Sequence, residues 1–176
     1  MGDRPVFELD HKTPLQAANL PVINQLAKEG QCGTADPVKP GIVASTVSGT
    51  LAILGYDPLE KTVARGVVEA LGCGMKINIG DVAFRGNWTT LDEKGLIVDR
   101  RAGRIREGIN ELALSITGQK IDNVRIDVAA GTEHRIAVVM RGAGLQDCVS
   151  GSDPGDHFHS GIIPRPIKPL NKNNPK

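Results

Sequence analysis

The stretch Leu51-Ala52-Ile53-Leu54-Gly55-Tyr56-Asp57-Pro58 follows closely on four hydroxyl side chains, and this combination decides how the first half of the chain is interpreted. The hydroxyl residues are Ser45, Thr46, Ser48 and Thr50. Asp57, Pro58 and Glu60 have the pattern of an N-cap, a proline at the first helical position and a capping box, which predicts a helix that begins at Asp57. Gly55 is typical of the residue that ends a preceding helix.

The hydroxyl cluster lies near a predicted helix N-terminus, and it has two interpretations. In the first, the Ser and Thr side chains only cap helices by accepting hydrogen bonds from backbone N–H groups. In the second, a phosphate is bound or covalently attached at one of these hydroxyls, where the N–H groups and the positive end of the helix dipole stabilise it. The hydroxyl would then be a nucleophile. The residues themselves leave both interpretations open.

Composition and charge exclude several functional classes. The chain has 176 residues, of which 40% are hydrophobic, and this is enough for one domain or two small ones. A net charge of +1 gives no basic field, so nucleic acid is not an expected partner. No apolar run approaches the roughly 18 residues of a membrane helix, and no secretory signal is evident, so we expect a cytoplasmic protein without membrane contact. Cys32, Cys73 and Cys148 lack Cys-x-x-Cys spacing and are expected to be small buried thiols.

The hydrophobic periodicity alternates between helix and strand, which indicates an α/β fold. Helices are predicted from Thr13, over 19–30, over 57–71 and over 104–116, and strands over 82–85, 96–98, 124–128 and 136–140. The last two strands are separated by Ala130-Gly131-Thr132, a loop that allows a hairpin or another connection. From Ile162 onward the chain is rich in Pro, Lys and Asn, which predicts a linker or a frayed terminus.

Several blocks of sequence, taken in order, resemble the archaeal-type cofactor-independent phosphoglycerate mutases of the alkaline phosphatase superfamily. The blocks are 1–5, 12–21, 26–30, 51–58, 64–66, 69–72, 80–85, 98–105, 134–135 and 152–154. A shift of composition near Gly80 indicates a domain boundary, and the resemblance implies a partial phosphatase-like core over 1–80 and an α/β insertion domain of the phosphotransferase type that binds substrate over 81–165. Residues 166–176 are the Pro/Lys/Asn-rich tail. It covers nearly the whole chain, but this chain corresponds to only part of the family's length.

The resemblance also implies a reaction, the interconversion of 3-phosphoglycerate and 2-phosphoglycerate through a phosphorylated hydroxyl and two divalent metals (Mn, Mg or Zn). Thr46 stands at the position of the family's nucleophilic serine. The family pattern Ser-Asp-Thr-Ala-His is here Thr46-Val47-Ser48-Gly49-Thr50, so the adjacent Asp and the His are replaced. Most of the family's metal ligands have no counterpart here. The metal ligands are therefore unknown, and we expect little mutase activity from the isolated chain.

A phosphoglycerate carries a phosphate and a carboxylate, and planar guanidinium groups suit both. The resemblance implies that the substrate contacts are Arg65, Arg85, Asn87, Asp99, Arg100, Arg101, Arg104, His134 and Arg135. Within this set Asp99 would orient an arginine or accept a proton, and His134 would be a general acid. The alternative is that the Asp-Arg-Arg run is a solvated turn laced by salt bridges.

Two histidines near the C-terminus form a second candidate site. His157 and His159 are two positions apart, so on a strand they would share a face and could hold a metal together with Asp153 or Asp156. The spacing is weakly specific, and a surface loop explains it equally. Neither Gly-x-Gly-x-x-Gly nor a P-loop occurs, so no dinucleotide or ATP is indicated.

Two hypotheses of function follow. One is a phosphotransferase of the mutase type; the other is a non-catalytic fragment of the same fold, which acts as a module binding phosphorylated acids or as one half of a split enzyme. In either case the partner is a small phosphorylated carboxylic acid. A partial core would also leave a sheet edge open in 1–80, so we expect a homo-oligomer or a complementing chain.

Overall fold

The computed structural model describes residues 4–61, 63–155 and 161–170. The chain divides between Ala44 and Ser45 into two compact units. Among the described residues, no helix is long and apolar enough to cross a membrane.

The first unit is built from a 3-10 turn at Phe7–Leu9 and two helices, α1 (Pro14–Ala17) and α2 (Pro21–Glu29). Thr13 forms the capping box of α1 with Gln16, and Gly30 is the C-cap of α2, so both predicted helices are confirmed. The apolar side chains of α2 stay exposed. The exposed fractions are 71% for Val22, 53% for Ile23 and 64% for Leu26.

The described part of the second unit contains three α-helices, a 3-10 turn at Ala102–Arg104 and six strands. The helices are α3 (Thr46–Ile53), α4 (Arg65–Gly72) and α5 (Ile109–Ile116). The strands are β1 (Val82–Asn87), β2 (Thr90–Leu91), β3 (Ile97–Asp99), β4 (Gln119–Ile121), β5 (Val124–Ala130) and β6 (Arg135–Arg141). Strands β1-β6-β5-β4 form one antiparallel sheet in that order, and β2 and β3 form a separate antiparallel pair. Of the two connections that the sequence left open after β5, the structure has the hairpin: β5 pairs antiparallel with β6, and Ala130 pairs with Ile136.

The core lies where α4 packs on β1 and β6. Ala70, Ala137 and Val139 have no exposed surface there. Gly66 allows the backbone of α4 to lie directly against the backbone of β1. A Cβ at this position would lie 2.0 Å from the carbonyl oxygen of Ala83. Helix α5 packs against β5 and contributes a buried Ile109. Helices packed on a sheet confirm the predicted α/β class.

Two predicted helix starts are wrong. The Asp57 side chain accepts a hydrogen bond from the N–H of Leu59 at 2.8 Å, which forms a turn, and the helix begins only at Arg65. The helix predicted over 104–116 begins at Ile109, because Gly108 is left-handed with φ 74° and precedes it as the N-cap. The short strands β2 and β4 had no clear signal in the sequence.

Two further expectations are corrected. The described residues between 4 and 80 contain no strand, so the expected open sheet edge is not found among them. The segment from Ile162 onward, predicted as a linker or a frayed terminus, forms backbone bridges to the rest of the second unit over its described residues. Ile162 pairs with Ile97, and Pro169 pairs with Val149. The division into 1–80, 81–165 and 166–176 stays a prediction.

Candidate anion-binding site

Asp99, the last residue of β3, closes a turn that carries three arginines. Its Oδ1 accepts a hydrogen bond from the N–H of Arg101 at 2.7 Å, and its Oδ2 accepts one from the N–H of Gly103 at 2.6 Å. These bonds are the main reason that the pKa of Asp99 lies below its ordinary value. Asp99 is thus an ionised carboxylate that holds the turn. We call residues 99–104 the arginine turn.

The arginine turn has an unusual backbone. Ala102, Gly103 and Arg104 follow one another with φ of 43°, 64° and 55°. A left-handed conformation costs a residue other than glycine roughly 1–2 kcal/mol, so Ala102 and Arg104 are strained. The N–H of Arg104 donates to the carbonyl of Arg101 at 2.8 Å, and Asp99 holds the turn from the other side. Strain of this kind concentrates at functional sites.

Arg100 is fixed by Asp153. Its Nε lies 2.6 Å from Oδ1 and its Nη2 lies 3.0 Å from Oδ2, so the two groups meet in a bidentate pair. Arg100 is the largest cause of the lowered pKa of Asp153, and the N–H of Gly155 also donates to that carboxylate at 2.9 Å. The pair ties the arginine turn to a segment more than fifty residues away.

His134 lies directly before β6 and is buried, with 4% of its surface exposed. Its backbone carbonyl accepts a hydrogen bond from the N–H of Trp88 at 2.7 Å, which joins the residue before β6 to the residue after β1. Its Nδ1 lies 4.0 Å from Oε2 of Glu133, which is too far for a hydrogen bond. Within the described residues this buried nitrogen has no hydrogen-bond partner.

The charges of the arginine turn act on His134. Burial is the first cause that lowers the pKa of His134, and the positive charge of Arg101 is the second. Arg104 and Arg100 lower it further, while Glu133 opposes them. The imidazole is therefore held neutral beside several guanidinium groups.

Glu133 and Arg106 complete this cluster, and the sequence analysis missed both. Their side chains form an ion pair with Nη2 of Arg106 2.7 Å from Oε1 of Glu133, and this bond is the main cause of the lowered pKa of Glu133. Their positions, 27 residues apart, gave no pairing signal in the sequence. The only clue was that Glu133 is next to His134.

The other predicted contacts lie on the sheet and on α4. Arg85 is opposite Ala137 and Asn87 is opposite Arg135, so all three polar residues share the sheet face on which Ala137 is buried under α4. Nε of Arg85 lies 2.9 Å from Oε2 of Glu69 on α4 in an ion pair. Arg65 is the exposed first residue of α4. The structure thus groups Asp99, Arg100, Arg101, Arg104 and His134, whereas Arg85 pairs with α4.

The hydroxyl cluster caps α3. Oγ of Ser45 accepts a hydrogen bond from the N–H of Ser48 at 3.1 Å, and Oγ of Ser48 accepts one from the N–H of Ser45 at 2.8 Å. The capping interpretation is confirmed for these two residues. Thr46, the first residue of α3, is exposed, and its role as a nucleophile stays a prediction.

The described residues do not fit a metal centre. Over 4–61, 63–155 and 161–170 no group of three or more His, Cys, Asp or Glu side chains could hold a metal ion. His157, His159 and Asp156 lie outside the described residues. Asp153, the candidate metal ligand that the structure does describe, is paired with Arg100 instead. Cys32 is exposed, contrary to the expectation of a buried thiol, while Cys73 and Cys148 are partly buried.

Comparison with known proteins defines the family. The family model of 2,3-bisphosphoglycerate-independent phosphoglycerate mutase matches residues 27–176. The chain is 46% identical over 157 residues to the mutase of that name from Methanobrevibacter smithii, covering 88% of this chain and 38% of that protein. It is 44% identical over 176 residues to the one from Saccharolobus solfataricus, covering 99% of this chain and 42% of that protein.

A solved structure agrees. The cofactor-independent phosphoglycerate mutase from Thermoplasma acidophilum superimposes with a TM-score of 0.60 at 41% identity, over 97% of this chain and 44% of that chain. The chain belongs to the family of 2,3-bisphosphoglycerate-independent phosphoglycerate mutases, as the sequence resemblance predicted. It spans about two-fifths of the length of the Methanobrevibacter and Saccharolobus relatives.

Proposed function

We propose that this chain binds a phosphoglycerate at the arginine turn and takes part in the interconversion of 3-phosphoglycerate and 2-phosphoglycerate, an isomerase step of glycolysis. Membership of the mutase family supports the reaction. The observation that carries the binding proposal is the Asp99-closed turn, which presents Arg100, Arg101 and Arg104 beside the buried His134.

The ligand chemistry follows from the charges. Guanidinium groups form paired, charge-assisted hydrogen bonds with phosphate and carboxylate, and each bond contributes about 1.5–3 kcal/mol net of the water hydrogen bonds that it replaces. Asp99 is a weak base, because both of its oxygens accept backbone bonds and its pKa is lowered. We therefore assign Asp99 to holding the turn rather than to accepting a proton from the substrate.

Thr46 is the proposed phosphoryl acceptor. Its Oγ would form a bond to phosphorus while the bond from phosphorus to the glycerate oxygen breaks, and the threonine proton would pass to that oxygen. The reverse transfer to the neighbouring oxygen would complete the isomerisation. An unassisted hydroxyl is a poor nucleophile near neutral pH. The divalent metals that the family implies would activate this hydroxyl, but the described residues do not form a site for them.

Calorimetric titration with 3-phosphoglycerate tests the binding proposal. We expect a dissociation constant between about 1 μM and 1 mM, because several charged hydrogen bonds are offset by ordering costs. Arg101→Ala should weaken binding about tenfold or more. Arg125→Ala is the matched control, because this exposed strand arginine pairs with Asp127 away from the turn. Equal affinity in both variants would show that the arginine turn does not bind the ligand and would favour the interpretation as a solvated, salt-bridged turn.

Turnover of 3-phosphoglycerate with added Mn²⁺ separates the mutase from a module that only binds. If the chain turns over, alone or with a complementing chain, Thr46→Ala should abolish the reaction, whereas Thr46→Ser keeps a hydroxyl and should retain it. Turnover that survives Thr46→Ala would show that the phosphoryl acceptor lies elsewhere. The binding-module alternative has less support, because the relatives from Methanobrevibacter smithii and Saccharolobus solfataricus are named as mutases.

A further inference from the structure

Two buried polar atoms lie at the junction of β1 and β6 without hydrogen-bond partners among the described residues: Nδ1 of His134 and Nε1 of Trp88. The two residues are joined by the 2.7 Å bond between the N–H of Trp88 and the carbonyl of His134. Such orphaned groups are rare in folded proteins, and each calls for a specific explanation.

The charged groups around His134 explain why its imidazole stays neutral, and the ion pair of Arg106 with Glu133 ties its loop to the chain just after the arginine turn. From the arginine turn, Arg100, Arg101 and Arg104 oppose a positive charge on the imidazole, while Asp99 attracts it. From its own loop, Glu133 also attracts it, but Glu133 is already paired with Arg106 at 2.7 Å. Burial adds to the penalty on the charged form, since only 4% of His134 is exposed.

An anion at the arginine turn would reverse this balance. Its negative charge would offset the guanidinium groups that keep the imidazole neutral, and it would attract a positive charge at His134 directly. We infer that His134 takes up one proton when an oxyanion binds the arginine turn, so that anion binding and protonation of this buried imidazole are coupled. This inference rests on the proposed function, because it adds a ligand-responsive residue to the same site.

The proton comes from the solvent and goes to the bare imidazole nitrogen, which gives the site one more positive charge in the complex. The sign of the coupling follows by linkage. The complex holds the proton more tightly than the free protein does, so the anion binds more tightly as the pH falls towards the pKa of the free imidazole. At pH values above the pKa of His134 in the complex, the affinity for the anion no longer depends on pH.

The experiment uses sulfate, whose own charge does not change in this range. Calorimetry in two buffers with different heats of ionisation counts the protons taken up, and we expect about 0.5–1 proton per anion near pH 6.5. Sulfate should bind about two- to tenfold more tightly at pH 5.5 than at pH 7.5. His134→Gln should abolish proton uptake, while His11→Gln, in the other compact unit, should not.

Nuclear magnetic resonance of the unmodified protein gives a readout that does not depend on a variant folding. Sulfate should shift the titration of the His134 ring to higher pH, with the His11 ring as the reference signal. Binding of sulfate without proton uptake, or with the same uptake in folded His134→Gln, would overturn this inference and leave the proposed function standing. If neither sulfate nor 3-phosphoglycerate binds, the proposed function and this inference both fail.

Discussion

Arg100 and Asp153 meet along one edge of the guanidinium, with Nε 2.6 Å from Oδ1 and Nη2 3.0 Å from Oδ2. This pair is a long-range bond that anchors the arginine turn. Only 20% of the Arg100 side chain is exposed, whereas 46% of the Asp153 side chain is, so solvent screens part of the attraction.

A double-mutant cycle should measure this pair. Arg100→Gln, Asp153→Asn and the double variant, compared by urea unfolding, should give a coupling free energy of about 0.5–1.5 kcal/mol. The coupling free energy of a bidentate, partly buried pair is larger than that of a typical surface pair, but here water still reaches about half of the aspartate side chain. Strictly additive effects would show that the pair does not hold the turn in solution.

Acid should destabilise the protein through the two aspartates of the site. The pKa values of Asp99 and Asp153 are lowered in the folded state, so each contributes stability above its unfolded value of about 3.9 and loses it as the pH falls through the folded value. Asp99→Asn should flatten the pH dependence of the free energy of unfolding below about pH 4. Asp122→Asn is the control, because that exposed turn residue has φ 51°, which asparagine tolerates. If Asp99→Asn leaves the slope of the free energy of unfolding against pH unchanged, the lowered pKa of Asp99 is contradicted.

Periodicity was enough to locate the elements that bury an apolar face. The strand β1 and the hairpin β5–β6 follow from their patterns, because the core they cover imposes a repeat of 2 residues. The helices α1 and α2 bury no residue, and they follow instead from the cap at Thr13, the 3.6-residue repeat and the stop at Gly30. The start of α4 was wrong because Asp57-Pro58 suits a turn as well as an N-cap, and the choice depends on contacts beyond the local sequence.

The sequence indicated which arginines form the candidate site, but not the ion pairs that hold them in place. Asp99, Arg100, Arg101 and Arg104 are neighbours in the sequence, so their grouping needed no tertiary information. The partners Asp153 and Glu133 come from distant segments, and only the fold brings them to Arg100 and Arg106. The left-handed run from Ala102 to Arg104 was equally hidden, because alanine and arginine carry no preference for positive φ.

Packing of α4 on β1 should depend on Gly66. A Cβ there would lie 2.0 Å from the carbonyl oxygen of Ala83 and 2.8 Å from the Cα of Phe84, and backbone atoms cannot move aside cheaply. Gly66→Ala should therefore cost about 3 kcal/mol or more in the free energy of unfolding. Gly72→Ala, in the same helix with nothing within 4 Å, should be neutral or stabilising by up to about 1 kcal/mol. Similar melting temperatures for the two variants would refute this packing.

Helix α2 should mediate self-association. Val22, Ile23 and Leu26 of this helix are more than half exposed. Clustered apolar side chains in water favour association, since burying them recovers roughly 25 cal/mol per Å². We propose a second copy of the chain as the partner.

Light scattering over a concentration series measures this association. The unmodified chain should form a dimer or a larger species, and Leu26→Glu should shift it towards the monomer because a charge would then be buried at the contact. Asn24→Glu is the matched control: it adds the same charge to α2 on the side away from Val22 and Leu26, since helical positions repeat every 3.6 residues. A chain that stays monomeric at high concentration, or equal effects of Leu26→Glu and Asn24→Glu, would exclude this face as the contact.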